Sequence, residues 1–251
     1  MIKDLLQRAL LGCGYRIEGV RYTPRHLSRP DLIRTLTFAD AVCHHMFEAG
    51  EACVFIQVGA FDGVANDPLR RFIERCAWRG AMLEPQPAAA TALRDLYRDN
   101  AGISILQAAV DQTRGSRTLY VVDSHGLPDW AGQLASFQRE HIAKHAHLIP
   151  GIEDRIQTLE VECVTFLDVL DRLQTERLDI LQIDAEGADG RLLSLFPFDR
   201  VKPAIIQWEI KNLSRAEQEA ALELLCSHGY LVARSGGEDM LAVLPAPEAR
   251  R

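Results

Sequence analysis

The sequence lacks the features of membrane and disulfide-rich secreted proteins. No apolar run approaches the roughly 20 residues that a membrane-spanning helix needs, and the charged start, residues 1–12, is too short for a signal peptide. The six cysteines, at positions 13, 43, 53, 76, 163 and 226, show neither a Cys-x-x-Cys motif nor a pairing rhythm. We therefore expect reduced thiols in a cytoplasmic protein without a membrane span.

An excess of basic residues is also missing. The chain has 28 Lys and Arg against 35 Asp and Glu, which gives a net charge of −7 and a pI near 5.6. Sequence-independent nucleic-acid binding depends on basic patches, so this balance argues against a nucleic-acid partner. A neutral or sugar-like partner fits the charge better.

The length and composition allow one full hydrophobic core. With 251 residues and 47% hydrophobic content, the chain needs no more than one α/β domain. We predict this domain over residues 31–245, preceded by a helical extension at residues 1–30 and followed by a disordered tail at residues 246–251.

The most informative stretch predicts a βαβ unit. Residues 53–58 read as a strand that ends in the turn Gly59-Ala60-Phe61-Asp62-Gly63, and Asp67-Pro68 then signals the start of a helix. A second short strand, residues 81–83, ends in Glu84. The Gly-x-Gly-x-x-Gly fingerprint of dinucleotide-binding folds is missing, which disfavours a nicotinamide cofactor.

Glu84 lies at the position of a ribose-binding acid. It follows Gly63 by 21 residues, and a carboxylate at that offset on the neighbouring strand can accept both ribose hydroxyls of a nucleoside held at the first turn. A Gly-x-x-x-Gly turn also occurs merely to reverse the chain. The acid at the end of the second strand favours the nucleotide interpretation.

Further strands are predicted along the rest of the chain. Residues 103–110 form a continuous apolar run that predicts a fully buried third strand, in which the small Ala108 and Ala109 leave room for an adenine ring. Residues 115–164 are predicted to be an insert of two strands flanking a looped and helical part, which selects the substrate. The remaining predicted strands are residues 178–183, residues 203–210 and an antiparallel hairpin near the C-terminus.

Three acids follow the predicted fourth and fifth strands. Asp184 and Glu186 come directly after one strand and Glu209 ends the other, at the edge of the sheet where ligands bind in α/β folds. Neighbouring carboxylates repel each other unless a cation, a proton or a donor-rich ligand is present, so we expect magnesium or a substrate hydroxyl here. Asp189 is interpreted as the cap of the next helix.

The insert carries a pair of histidines at helical spacing. His141 and His145 share a helix face, which is compatible with a metal pair. No His-Glu-x-x-His motif accompanies them, which argues against zinc. Two alternatives stay open: a solvated helical face, or a substrate-facing lid from which one histidine acts as a base.

The motifs QVGAFDG, MLEPQP, VTFLDVL and LQIDAEGAD together resemble the FkbM family of S-adenosylmethionine-dependent methyltransferases. The usual family pattern is an acid before Val-Gly-Ala-Asn-x-Gly, then Glu-Pro-x-Pro, Thr-Leu-Asp and Lys-Ile-Asp-x-Glu-Gly. The resemblance implies a class I methyltransferase fold: a Rossmann-like, doubly wound, mostly parallel sheet with an antiparallel C-terminal hairpin. It makes residues 31–245 the methyltransferase domain.

The resemblance and the residues together give a set of expected site residues. We expect S-adenosylmethionine at Gln57, Gly59, Ala60, Phe61, Asp62, Gly63, Glu84, Pro85, Ala108 and Ala109. The expected catalytic residues are Asp184, Glu186, His141 and His145, and the expected substrate-binding residues are Ser136 and Glu209. Asp184 and Glu186 are also the expected ligands of any magnesium ion.

The chain departs from the family pattern at three positions. Gln57 replaces the first acid and Phe61 replaces the asparagine of the turn, so Asp62 is the candidate to replace the missing charge. Gln182 replaces the lysine two residues before Asp184, which we interpret as leaving the acids less neutralised.

The expected activity is O-methylation of a hydroxyl on a sugar, in a glycan or a natural product. One alternative is a methyltransferase directed at nitrogen or a carboxyl group. The other is a degenerate, non-catalytic binding protein of the same fold, which Gln57 and Phe61 would allow. A homo-oligomer is compatible with the sequence.

Overall fold

The computed structural model describes residues 37–245. The predicted extension at residues 1–30, the first residues of the predicted domain and the predicted tail at residues 246–251 lie outside the described residues. In the described part of the chain, none of the helices has the length and apolar character needed to cross a membrane.

Seven strands form the central sheet. Their order across the sheet is β10-β11-β9-β8-β1-β2-β3, and β3, β2, β1, β8 and β9 are parallel, whereas β11 runs antiparallel to both β9 and β10. Their bounds are β1 Val54–Val58, β2 Arg79–Leu83, β3 Ile103–Leu106, β8 Ile180–Ile183, β9 Ile205–Glu209, β10 Leu231–Arg234 and β11 Asp239–Val243. This is the doubly wound sheet with an antiparallel C-terminal hairpin that the sequence predicts.

The strand order reverses beside β1. The chain builds β2 and β3 on one side of β1 and then returns to add β8 and β9 on the other side. Loops that leave β1 and β8 therefore separate in opposite directions and open a crevice at the carboxyl ends of these strands, where ligands bind in open α/β sheets.

Helices cover both faces of this sheet. They are α1 Phe38–Ala49, α2 Arg70–Ile73, α3 Pro87–Leu96, α5 Phe166–Leu173, α6 Asp189–Leu195 and α7 Arg215–Ser227, whereas α4 Arg139–Ala143 belongs to the insert. Three of them begin with a capping box, in which a Thr or Ser hydroxyl and an acid three residues later satisfy free N–H groups: Thr37 with Asp40, Thr165 with Asp168 and Ser214 with Glu217.

The predicted helix after Asp67-Pro68 is only one turn long. Asp67 does accept from the backbone N–H groups of Leu69 and Arg70, as a helix-capping carboxylate should. However, α2 ends at Ile73, and the chain then runs to Trp78, whose ring stacks on Phe72 with centroids 5.2 Å apart. This aromatic packing replaces further helical turns.

The prediction of one buried strand over residues 103–110 is wrong. β3 stops at Leu106 and lies half-buried at the edge of the sheet, and Ala109–Val110 form a separate short strand, β4, in a second sheet. The apolar run is continuous because it serves two sheets in succession, which periodicity alone does not show.

The second sheet belongs to the predicted insert. Its order is β4-β7-β5-β6, with β5 Gly115–Val122, β6 Ala135–Ser136 and β7 Ile156–Val164. β5 and β7 pair antiparallel over eight residues, from Gly115 opposite Cys163 to Val122 opposite Ile156. Between them lie α4 and three short 3-10 helices, Asp129–Gln133, Lys144–His147 and Ile152–Arg155. The predicted pair of flanking strands is confirmed.

Candidate active site

A large cavity lies at the carboxyl ends of the central strands. It has a volume of about 750 Å³. One side, which we call the sheet wall, consists of residues 57–61, 65–68 and 84–86 from the loops after β1 and β2. The other side, which we call the insert wall, consists of residues 130, 133–137, 144, 145, 147 and 148. Residues 184–186, 209, 211 and 212 lie between the two walls.

The first turn of the sheet wall requires glycine at its start. Gly59 has a φ of +79°, and a Cβ on this residue would lie 1.8 Å from the carbonyl oxygen of Asp184. Phe61 also adopts a left-handed φ, of +46°. The turn therefore passes directly against the end of β8, and Gly59, Ala60 and Phe61 line the cavity.

The other two expected residues of this turn do not line the cavity. The carboxylate of Asp62 accepts from the backbone N–H groups of Val64 and Ala65 at 2.8 and 2.9 Å. Gly63 faces α3, where a Cβ would lie 2.7 Å from a methyl carbon of Leu93. Asp62 therefore stabilises its own loop, and Gly63 allows close packing of that loop on the helix.

Glu84 is the central polar group of the sheet wall. It is 4% exposed, and its two carboxylate oxygens accept from the backbone N–H groups of Phe61 at 2.9 Å and Gln86 at 2.8 Å. Burial raises the pKa of Glu84 to about 7, although both N–H groups lower it. Each oxygen keeps a lone pair, so the carboxylate can still accept two hydroxyl groups. Pro85 lines the cavity beside it.

An apolar part of the cavity adjoins Glu84. Ala108 and Ala109 are buried and line it, at the point where the chain passes from one sheet to the other. Leu119 and Phe137 contribute larger apolar side chains. Asp111, which follows, is held instead by Arg117 and Arg191.

Gln57 and Gln182 occupy directly opposed positions on β1 and β8. Both are buried, line the cavity and leave a side-chain carbonyl oxygen without a hydrogen-bond partner. In the family pattern these two positions hold an acid and a lysine, which would face each other across the strands. Gln57 and Gln182 thus replace one charge pair by two amides, so the missing lysine is matched by a missing acid. The interpretation that Gln182 leaves the acids after β8 less neutralised is therefore not needed.

The acids between the two walls are joined by Asn212. Its side-chain amide donates to Glu186 Oε2 at 2.9 Å and to Glu209 Oε2 at 3.0 Å. Burial is the largest cause of the raised pKa values here, followed by repulsion from a neighbouring carboxylate, which is Asp239 for Asp184, Asp184 for Glu186 and Glu186 for Glu209. The pKa rises to about 6 for Asp184, about 7 for Glu186 and about 8 for Glu209. These side chains can therefore exchange protons near neutral pH.

Asp184 and Glu186, the expected magnesium ligands, do not belong to a group of three potential metal ligands in the described part of the chain. The Asn212 amide donates to one carboxylate oxygen of Glu186, which therefore serves as a hydrogen-bond acceptor. Within residues 37–245, the three potential ligands whose atoms lie within 4.8 Å of one another are His45, Cys53 and Asp179. These residues lie at the amino ends of β1 and β8, whereas the cavity lies at the carboxyl ends of the strands. Burial raises the pKa of the Cys53 thiol to about 12, so this thiol is protonated at neutral pH.

Asp189 has a different role from the predicted helix cap. It is fully buried and accepts from the backbone N–H groups of Ala185 at 3.4 Å, Gly187 at 3.2 Å and Glu209 at 3.3 Å. The carboxylate thereby ties the loop after β8 to the end of β9. It positions the acids, and burial raises its pKa well above the usual range.

The two expected histidines are placed differently. His145 is 8% exposed and lines the cavity, and its Nδ1 lies 3.1 Å from the carbonyl oxygen of His141 and 3.3 Å from that of Ile142. Carbonyl oxygens only accept, so Nδ1 carries the proton and Nε2 keeps a lone pair. Burial lowers the pKa of His145. The ring is neutral at neutral pH and suited to accept a proton.

His141 does not line the cavity. Its ring lies against the backbone of Gly187, where a Cβ would be 2.7 Å from His141 Nδ1. The same Nδ1 is 3.5 Å from the hydroxyl oxygen of Ser136, which is buried and does line the cavity. His141 therefore contacts the Ser136 hydroxyl from outside the lining of the cavity.

Sequence reasoning missed several residues that line the cavity. Asn212 and Lys144 join the acids to the insert wall, since Lys144 Nζ donates to Asn212 Oδ1. Trp130 is 37% exposed, and its ring centroid is 6.1 Å from that of His145. Asp67 was identified only as a helix cap. The position of Asn212, three residues after Glu209, is a signal that could have been used; Trp130 and Lys144 offer none.

The chain is similar to several solved structures. The crystal structure of methyltransferase FkbM from Methylobacillus flagellatus KT is 12% identical, with a TM-score of 0.45, over 77% of this chain and 44% of that chain. The METTL16 methyltransferase domain is 9% identical, with a TM-score of 0.44, over 98% and 80% of the two chains. Fibrillarin from Aeropyrum pernix, solved with natively bound S-adenosyl-L-methionine, is 12% identical, with a TM-score of 0.34, over 76% and 66%.

This chain spans less than half the length of the Methylobacillus protein. No curated protein matches it. The family model described as Methyltransferase FkbM domain matches residues 57–232, a segment that contains both walls of the cavity and the acids between them. The chain therefore belongs to the FkbM family of S-adenosylmethionine-dependent methyltransferases.

Proposed function

We propose that this chain transfers a methyl group from S-adenosylmethionine to a hydroxyl oxygen of a sugar, in a glycan or a natural product. One observation carries the proposal. The same cavity holds a nucleoside-type carboxylate, Glu84, on the sheet wall and a neutral proton acceptor, His145, on the insert wall.

The sheet wall fits the methyl donor. Glu84 presents a carboxylate with free lone pairs for the two ribose hydroxyls, and Ala108 and Ala109 leave an apolar space for the adenine. The unpartnered oxygens of Gln57 and Gln182 are hydrogen-bond acceptors for the amino-acid arm. When bound, the donor supplies an electrophilic methyl group on a sulfonium. The protein's part is then to orient an oxygen in line with it and to remove a proton.

The insert wall fits a hydroxyl acceptor. His145 has the tautomer and the lowered pKa of a base that works near neutral pH. Glu186 and Glu209, held by Asn212, can accept hydrogen bonds from neighbouring hydroxyls. A hydroxyl-rich ring is the ligand that matches several acceptors arranged in this way.

Trp130 supports a sugar rather than a small alcohol. Its partly exposed ring lines the mouth of the cavity beside His145, and an aromatic face packs well against the C–H groups of a sugar ring. The two nearby lysines are engaged, Lys144 with Asn212 and Lys211 with Glu238 at 2.9 Å. A neutral sugar therefore suits this wall better than a phosphorylated one.

The test is mass spectrometry of candidate glycans and glycosylated natural products, incubated with S-adenosylmethionine and the protein. We expect a gain of one methyl, located on oxygen by fragmentation. The His145→Gln variant is the control, because it keeps the shape of the wall but removes the base. Methyl gain on nitrogen or on a carboxyl group would contradict the hydroxyl assignment.

Calorimetry with S-adenosylmethionine tests the donor separately. We expect saturable heat and a rise in the unfolding temperature of the wild-type protein. Absence of both would favour a degenerate, non-catalytic protein of this fold, as the replacements at Gln57 and Phe61 would allow.

A further inference from the structure

Two buried oxygen atoms on the sheet wall have no hydrogen-bond partner. They are Gln57 Oε1 and Asp67 Oδ2. Both residues line the cavity, and Gln57 is only 2% exposed. Buried acceptors in native proteins nearly always have a donor, so two such atoms side by side indicate a missing donor group.

The two residues already contact each other through their other polar atoms. Gln57 Nε2 donates to Asp67 Oδ1 at 3.3 Å. The same Oδ1 accepts from the backbone N–H groups of Leu69 at 2.7 Å and Arg70 at 3.2 Å. The two oxygens of the Asp67 carboxylate therefore differ: Oδ1 caps the helical turn α2, and Oδ2 has no hydrogen-bond partner.

Among the described residues, the loop after β1 carries two carboxylates that could serve the amino-acid arm of the donor, Asp62 and Asp67. Gln57 is uncharged, and Asp62 is used by its own loop, outside the lining of the cavity. Asp67 is the carboxylate that is hydrogen-bonded to Gln57. An ammonium group has three N–H donors, so it can serve Gln57 Oε1 and Asp67 Oδ2 together.

We infer that Asp67 and Gln57 form the binding site for the α-ammonium group of the methyl donor. Asp67 provides the negative charge that Gln57 lacks at the end of β1, and it delivers this charge from the loop after the glycine turn. This inference rests on the proposed methyl donor but not on the proposed acceptor.

The experiment compares two ligands by calorimetry. S-adenosylhomocysteine carries the ammonium group, whereas 5′-methylthioadenosine has the same nucleoside without the amino-acid arm. In Asp67→Asn, we expect affinity for S-adenosylhomocysteine to fall about 10- to 100-fold, the range for a lost hydrogen bond between charged groups. Affinity for 5′-methylthioadenosine should be unchanged.

A second variant tests the charge rather than the fold. The double variant Gln57→Glu with Asp67→Asn exchanges the amide and the carboxylate. We expect it to recover most of the affinity for S-adenosylhomocysteine, which a purely structural role of Asp67 would not allow. Asp40→Asn, which weakens the cap of α1 far from the cavity, is the matched control and should affect neither ligand.

Three results would overturn the inference. One is unchanged affinity of Asp67→Asn for S-adenosylhomocysteine, and another is an equal loss for both ligands. The third is a selective loss in Tyr97→Phe instead, since Tyr97 Oη is also buried without a partner but lies outside the lining of the cavity. If the wild-type protein binds neither ligand, the proposed donor fails as well. Failure to methylate any sugar would leave these binding results intact.

Discussion

The two walls of the cavity are built in different ways. The sheet wall is held by backbone geometry: parallel strands in register place Gln57 opposite Gln182, and backbone N–H groups hold Glu84. The insert wall has a two-residue strand and short 3-10 helices, and the Lys144 side chain connects it to Asn212. The difference indicates that the sheet wall is fixed by the fold, whereas the insert wall can change without disturbing it.

The walls meet at the acids after β8 and β9. Asn212 contacts both glutamates and also accepts from Lys144 of the insert wall. This connection is the place where occupancy of one wall can affect the other. The predictions below test how independent the two walls are.

The largest effect should come from the sheet wall. Replacing Glu84 with Ala removes two hydrogen bonds to a charged acceptor, each of about 1.5–3 kcal/mol. We expect affinity for S-adenosylhomocysteine, measured by calorimetry, to fall about 1,000-fold. Glu219→Ala, an exposed change on α7, is the control. Intact affinity in Glu84→Ala would contradict the assignment of Glu84 to the ribose. It would also contradict the expected role of the sheet wall in binding the donor.

Replacing His145 with Gln should lower turnover without changing the affinity for the donor. Loss of a general base lowers kcat about 100-fold or more, but affinity for the donor should stay within about twofold, because His145 belongs to the other wall. The measurement is steady-state methyl transfer alongside calorimetry. A large loss of donor affinity would show that the walls are not independent. Asp184→Asn should likewise lower turnover more than donor affinity.

A smaller effect is expected at the mouth of the insert wall. Trp130→Ala removes an aromatic face beside His145, and we expect KM for the acceptor to rise about tenfold, the cost of losing one aromatic contact. Trp130→Phe should retain most of the affinity. An unchanged KM in Trp130→Ala would exclude stacking of the acceptor on this ring.

The smallest effect concerns stability and pH. The folded pKa values of Glu186 and Glu209, about 7 and about 8, lie above the ordinary 4.5, so the folded protein binds more protons than the unfolded chain. Their contribution is therefore complete below about pH 4.5 and is lost as pH rises towards about 8. His145, whose pKa is lowered, acts in the opposite direction below about pH 6.5.

Thermal unfolding from about pH 5 to about pH 9 tests this. The double variant Glu186→Gln with Glu209→Gln should unfold about 5 °C higher than the wild-type protein at about pH 8, with little difference at about pH 5. Glu219→Gln, on an exposed helix surface, serves as the control. If the unfolding temperature of the double variant depends on pH as in the wild-type protein, burial of Glu186 and Glu209 is not the cause of that dependence.

Much of the fold could be predicted because its signals are local. The capping boxes at Thr165 and Ser214 involve residues three apart in sequence, and a helix begins at each of them. The strand, the glycine turn and the acid between Val54 and Glu84 could likewise be predicted from residues close together in sequence. The prediction for residues 103–110 failed because an apolar run does not reveal that its two halves belong to different sheets.

The candidate site was predicted less completely. Asp62 was expected to replace the missing charge at Gln57, but its carboxylate closes its own loop, and Asp67 lies beside Gln57 instead. The contact between Asn212 and Glu186 became visible only when β8 and β9 were placed side by side. Contacts of this kind join residues about 10 to 70 positions apart, and no local pattern records them.

The sequence by itself determined the family and, through that family, the methyl donor, because its short motifs resemble those of FkbM methyltransferases. Only the tertiary structure decided which carboxylates face the cavity, which histidine can act as a base and what the two glutamines replace. The physical reason is that burial and distance, which control pKa values and hydrogen bonds, exist only after distant segments have packed together.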